Sequence, residues 1–98
     1  GLATMIYDAK TRRLQYRVEV EDIDNITAAH IHQGPAGVNG PVLHTLYGGD
    51  GAFDPDNPVS GTVTLTPEQV GLLYSAGLYV NVHTQENPSG EIRGQITR

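Results

Sequence analysis

Leu14-Gln15-Tyr16-Arg17-Val18-Glu19-Val20 alternates strictly between apolar and polar side chains. In an extended chain that period puts every apolar group on one side and every polar group on the other, the signature of a strand with one buried face. The same alternation returns in Val59-Ser60-Gly61-Thr62-Val63-Thr64-Leu65, in Leu78-Tyr79-Val80-Asn81-Val82-His83-Thr84 and in Glu91-Ile92-Arg93-Gly94-Gln95-Ile96-Thr97. Upstream of the first of these, a short apolar segment from Ala3 to Tyr7 and the turn residues Asp8-Ala9-Lys10-Thr11 predict a hairpin. Downstream, Ile26-Thr27-Ala28-Ala29-His30-Ile31-His32 and the stretch from Pro41 to Tyr47 are β-prone segments on either side of a Gly/Pro loop, residues 33–40.

One helix interrupts this pattern. In Thr66-Pro67-Glu68-Gln69, Thr suits the cap, Pro the first helical position, and Gln stands three residues after the cap. Val70, Leu73 and Tyr74 continue at helical spacing and Gly77 is placed to end it, so a short helix is predicted near residues 67–76. About seven strands and one helix imply an all-β fold, a Greek-key antiparallel sandwich or barrel. Residues 48–58, rich in Gly, Pro and acidic groups, read as a long exposed loop. Asp50, Asp54 and Asp56 there do not follow the spacing of an EF-hand loop, and a solvated acidic loop is the simpler reading.

With 98 residues the chain has room for one compact domain, expected to run over residues 1–98. The formal net charge of -5 argues against nucleic acid or an anionic membrane surface as partner, since both select for a clustered basic face. No apolar run approaches the roughly 20 residues that span a bilayer. The opening Gly1-Leu2-Ala3 reads as a mature or trimmed domain from which any export signal has been removed. Without cysteine there are no disulfides, no zinc-thiolate or iron-sulfur centres and no thiol nucleophile, so any metal must use histidine, carboxylate or backbone oxygen. Serines lack His/Asp partners at motif spacing, and the loop at residues 34–40 lacks the Lys-Ser/Thr ending of a phosphate loop.

Four segments in order resemble the CHRD (chordin) domain family: Ala29-His30-Ile31-His32; Gly34-Pro35-Ala36-Gly37-Val38-Asn39-Gly40-Pro41-Val42; Leu78-Tyr79-Val80-Asn81-Val82-His83-Thr84; and Asn87-Pro88-Ser89-Gly90-Glu91-Ile92-Arg93-Gly94-Gln95-Ile96. The resemblance runs over nearly the whole chain. It implies an extracellular or cell-surface setting, and it implies little about chemistry, which the residues themselves must carry.

Those residues are the histidines. In a strand, positions i and i+2 point the same way, so His30 and His32 project together, about 7 Å apart at their Cα atoms, while Ile31 turns to the core. Two imidazoles so placed can converge on an ion at about 2 Å from each nitrogen. His83 shares the polar face of its strand with Tyr79 and Asn81 and supplies a third nitrogen if that strand lies beside the first pair. His44, in Val42-Leu43-His44-Thr45-Leu46, is the fourth candidate ligand. The alternative is that these rings brace the neighbouring loops by hydrogen bonds to backbone carbonyls. For a metal, imidazole without thiolate or clustered carboxylate favours copper, with zinc as the alternative.

The histidine arrangement also resembles a reduced copper-zinc superoxide dismutase. By that resemblance His30, His32, His44 and His83 would be copper ligands, and Arg93, after Asn87-Pro88-Ser89-Gly90, would guide a small anion. The disulfide, the separate zinc subsite and the long electrostatic loop have no counterpart here. An ion pair of Arg93 with Glu91 or Glu86 is the simpler reading of that residue. Three functions therefore compete: a metal-binding module, a copper redox enzyme, and a structural or adhesion module in which the histidines brace loops and an edge strand pairs with another subunit.

Overall fold

The computed structural model describes every residue except Gly1, Ser89, Glu91, Thr97 and Arg98. The elements, in order, are β1 (Leu2–Asp8), β2 (Arg13–Glu19), β3 (Ile26–Gln33), β4 (Val42–Tyr47), β5 (Val59–Thr64), α1 (Pro67–Tyr74), β6 (Leu78–Thr84) and β7 (Ile92–Gln95). They form two antiparallel sheets, one of three strands in the order β1-β2-β5 and one of four in the order β4-β3-β6-β7. The two sheets pack as a sandwich, and neither closes into a barrel. The expected final strand is observed over Ile92–Gln95, and Glu91 and Thr97 lie outside the described residues.

The alternating apolar residues meet where their period requires. Leu14 and Val18 from β2 face Ala29 and Ile31 from β3 and Leu78, Val80 and Val82 from β6, with Leu46, Leu65 and Ile96 filling the margins. Each of these is less than a tenth exposed, and a fully buried aliphatic side chain contributes roughly 1.5–3 kcal/mol relative to an exposed one.

α1 starts as predicted. The Thr66 hydroxyl accepts from the Gln69 N–H, and the Gln69 side chain accepts from the Thr66 N–H, a reciprocal capping box with Pro67 following. Its end differs from expectation by one residue. Ser75 is the C-cap, and the left-handed position after it falls on Ala76 (φ 59°), with Gly77 N–H donating to the Leu72 carbonyl at 2.8 Å. This is a Schellman ending with alanine where glycine is usual. Gly77 is instead tight against Leu72, whose Cδ2 would lie 3.1 Å from a Cβ at that position.

The loop at residues 48–58 is largely exposed, as expected, with Phe53 as its one buried residue. Phe53 is buried and meets the Tyr47 ring edge-on at 5.2 Å, and the Tyr47 hydroxyl donates to the Gly51 carbonyl. Asp54 accepts from the Asp56 N–H and the Asn57 carboxamide, so its carboxylate closes a turn.

The decisive departure for function concerns β6. Its sequence reads as a half-buried strand, yet its outward residues are covered too: Tyr79 is 1% and Asn81 8% exposed. The loop at 34–40 lies over the outer face, tied down by Tyr79, Arg93 and Gln95, and the loop after β6 closes beside it through His83 and Pro88. A polar sheet face is thereby sealed under loops.

Candidate metal centre

Register decides which polar side chains share this covered face. β3 pairs with β6 so that His32 lies opposite Tyr79, His30 opposite Asn81 and Ala28 opposite His83. Residues paired across an antiparallel ladder project to the same side, as do positions i and i+2 along each strand. His30, His32, Tyr79, Asn81 and His83 therefore form one patch. The three imidazoles meet in it, with ring centroids 5.0 Å apart for His30 and His83, 5.6 Å for His30 and His32, and 6.0 Å for His32 and His83.

Ring orientation adds more. His32 Nδ1 lies 2.9 Å from the Gly40 carbonyl and His83 Nδ1 lies 2.8 Å from the Pro88 carbonyl. A carbonyl oxygen can only accept, so Nδ1 carries the proton in both rings, and in the neutral imidazole Nε2 is then a bare lone pair. Those two Nε2 atoms, and Nδ1 of His30, are buried without a hydrogen-bond partner. One nitrogen from each ring lies within 4.8 Å of the others. Two nitrogens at about 2.0 Å from a tetrahedral ion stand about 3.3 Å apart, so the cluster reaches ligand geometry by closing about 1.5 Å at most. It is a histidine cluster capable of holding a metal ion.

The loop carbonyls act here as outer partners. A ligating histidine ordinarily donates its second N–H to a carbonyl or carboxylate, which fixes the tautomer and aims the ring. The loop-bracing bonds foreseen as an alternative to metal binding are thus present in His32 and His83, and they leave the other nitrogen of each ring free for an ion. Burial lowers the pKa of His30 below the usual histidine value, and the neighbouring His83 and His32 lower it further by repulsion between protonated rings. His30 is held toward its neutral form, the one a metal requires.

His44 is not part of this cluster. Irregularities in the β3–β4 ladder put it opposite Ile31, on the face away from His30 and His32, and its Nε2 donates to the Gln69 Oε1 of α1 at 2.8 Å. The sequence, and the dismutase resemblance with it, had offered His44 as a fourth ligand; its position instead joins β4 to the capping box of the helix.

Arg93 is also committed elsewhere. Its guanidinium carbon stands 3.5 Å from the centre of the Tyr79 ring, while Nη2 donates to the Pro35 carbonyl at 2.7 Å and Nη1 to Asn39 Oδ1 at 3.3 Å. Among the described residues it forms no ion pair with Glu86, and Glu91 lies outside them. Tyr79, placed by the sequence on the polar face of its strand, is central to the site, because its hydroxyl accepts the Gly40 N–H at 3.0 Å and its ring stacks on His32. Asn81 was visible in sequence as sharing the parity of His83, and the signal to single it out was its place midway along a strand between Tyr79 and His83.

The fold is a two-sheet sandwich with a covered histidine cluster on the four-stranded sheet. Residues 1–96 match the CHRD domain, and the chain belongs to that family. No curated protein and no solved structure matches it.

Proposed function

We propose that this CHRD domain is a metal-binding module in which His30 Nδ1, His32 Nε2 and His83 Nε2 hold one ion, copper in preference to zinc. The observation that carries the reading is that three nitrogens without hydrogen-bond partners are buried together while loop carbonyls occupy the opposite nitrogen of two of the rings. Unpaired buried acceptors cost about 1–3 kcal/mol each, and one cation would satisfy all three. Imidazole-only donor sets suit copper and zinc. Membership of the family supports an exported or cell-surface setting, where such a module would sequester metal or rigidify a surface assembly.

The dismutase-like alternative is less well supported. Steering a small anion needs a free cation, and Arg93 spends its donors on Pro35 and Asn39 and its face on Tyr79, in a chain of net charge -5.

Protein purified without a histidine tag, loaded with Cu(II) or Zn(II), desalted and analysed for metal should retain about one equivalent under the one-ion reading. The combined His30→Ala, His32→Ala and His83→Ala variant should retain none. Equal retention by both proteins would overturn the proposal.

A further inference from the structure

Among the described residues four buried side-chain atoms lack a hydrogen-bond partner: His30 Nδ1, His32 Nε2, His83 Nε2 and Asn81 Oδ1. The three nitrogens are accounted for by the metal reading above. The carboxamide oxygen is not, and a buried acceptor of this kind calls for a water, an ion or another explanation.

Its position is specific. Asn81 lies across the ladder from His30 on one side and from Arg93 on the other, and two residues from His83 along its own strand. Cross-strand neighbours of this kind have Cβ atoms about 5 Å apart, so Asn81 shares the patch with His30 and His83. It is 8% exposed. Gly90 (φ 132°) closes over it so tightly that a Cβ there would lie 2.6 Å from both Oδ1 and Nδ2. The loop backbone thus denies the oxygen bulk water.

His32 Nε2, His83 Nε2 and Asn81 Oδ1 present lone pairs, and His30 Nδ1 does so in the tautomer that carries its proton on Nε2. One water has two hydrogens to donate and leaves two acceptors unsatisfied, whereas one cation satisfies all four. We propose that Asn81 Oδ1 is the fourth donor of the site, completing three nitrogens and one oxygen around the ion; this rests on the three-histidine reading. A neutral set that includes a hard amide oxygen favours a divalent ion over Cu(I). With all four positions taken by protein, the site is of the closed, structural kind, without the open position that catalysis on a bound ion requires.

Cobalt(II) is the probe, because its visible absorption reports coordination number and donor type. The wild type, Asn81→Asp and Asn81→Leu are titrated with Co(II), and affinity and spectrum are recorded. The expected result is intense four-coordinate bands for the wild type, shifted bands with tighter binding for Asn81→Asp, and at least roughly tenfold weaker binding with altered bands for Asn81→Leu. Far-ultraviolet circular dichroism checks folding, and if Asn81→Leu does not fold, the near-isosteric Asn81→Asp spectrum decides. Bands and affinity unchanged from wild type in the folded variants overturn the role of Asn81 and leave the histidine site standing. A wild type that binds cobalt no better than the triple histidine variant overturns both.

Discussion

His32 lies flat on Tyr79, with ring centroids 4.9 Å apart and planes 6° from parallel. Arg93 caps the same tyrosine at 3.5 Å, and since β6 runs between β3 and β7 the two approach it from opposite sides. Tyr79 and His32 also bind one residue between them, the tyrosine oxygen taking the Gly40 N–H and the His32 ring donating to the Gly40 carbonyl. The backbone there has no room for a side chain, because a Cβ on Gly40 would collide with the Gln33 carbonyl. The aim of His32 is therefore set by a stack and a loop together.

Removing parts of that stack should separate its two roles. Tyr79→Phe keeps the ring and strands the Gly40 N–H, so a loss of about 1 kcal/mol in stability is expected, with metal affinity nearly unchanged. Tyr79→Leu also removes the plane against His32 and should weaken metal binding by about tenfold or more, as loss of an outer partner does. Urea unfolding and metal titration of both variants make the comparison, and equal metal affinity in the two would show that the stack does not orient the ligand.

Acid should destabilise the metal-free fold through His30. Its folded pKa is lowered, first by burial and then by the charges of His83 and His32, while in the unfolded chain it titrates near 6.5. Above that value both states are neutral at His30 and its contribution is fully present. As pH falls from about 6.5 toward the lowered folded value the unfolded chain takes up the proton first, so stability declines. His30→Gln should flatten the stability profile between about pH 7 and 5. With metal added the decline should steepen, since the ion competes with protons for the same nitrogens; chemical denaturation across this range, with and without chelator, measures both slopes.

How much of this was open to a reader of the sequence follows from the range of each interaction. The strands rest on period-2 alternation and the helix start on Thr66, Pro67 and Gln69, all local signals, and they fall where the sequence places them. The convergence of His30 and His32 needed only parity within one strand. That His83 joins them depended on β6 pairing with β3 across an intervening crossover, a long-range choice that no local pattern encodes. The burial of Phe53 and the sealing of Asn81 under Gly90 are loop conformations, fixed by contacts with residues far away in sequence. His44 was ambiguous because Val42 to Leu46 has no clean alternation, and irregular register in the β3–β4 ladder is the reason.

Ala76 offers a stability test independent of the metal. It holds φ 59° at the end of α1, where a side chain costs roughly 1–2 kcal/mol and glycine costs little. Ala76→Gly should therefore stabilise the protein by about 1 kcal/mol, raising Tm by about 4–8 °C for a domain of this size. A lower Tm in the variant would mean that the alanine side chain contributes packing greater than its strain.

Replacing His44 should distinguish its place from that of the cluster. His44→Phe removes a hydrogen bond to Gln69, at a cost of about 1 kcal/mol, and should leave the metal stoichiometry at its wild-type value. His83→Phe should abolish tight binding. If His44→Phe loses metal as completely as His83→Phe does, the ligand set extends across the sheet and the role given to Gln69 is wrong.

Arg93 is the residue on which the module and the enzyme readings diverge. As a structural group it anchors Pro35 and Asn39 over the Tyr79 ring, and a charged hydrogen bond with a partly exposed cation–π contact together contribute about 2 kcal/mol. Arg93→Met should lower stability by about that amount, and it should speed amide hydrogen exchange in residues 34–40, while leaving metal stoichiometry intact. As a steering group it would instead control the rate at which a small anion reaches the ion. Such a rate would fall with salt, because exposed charges are screened over about 10 Å at 0.1 M. The engaged guanidinium and the net charge of -5 favour the first behaviour, so copper-loaded protein should remove superoxide little faster than free copper does. A large copper-dependent rate that drops sharply both in Arg93→Met and with added salt would transfer the assignment to the redox enzyme.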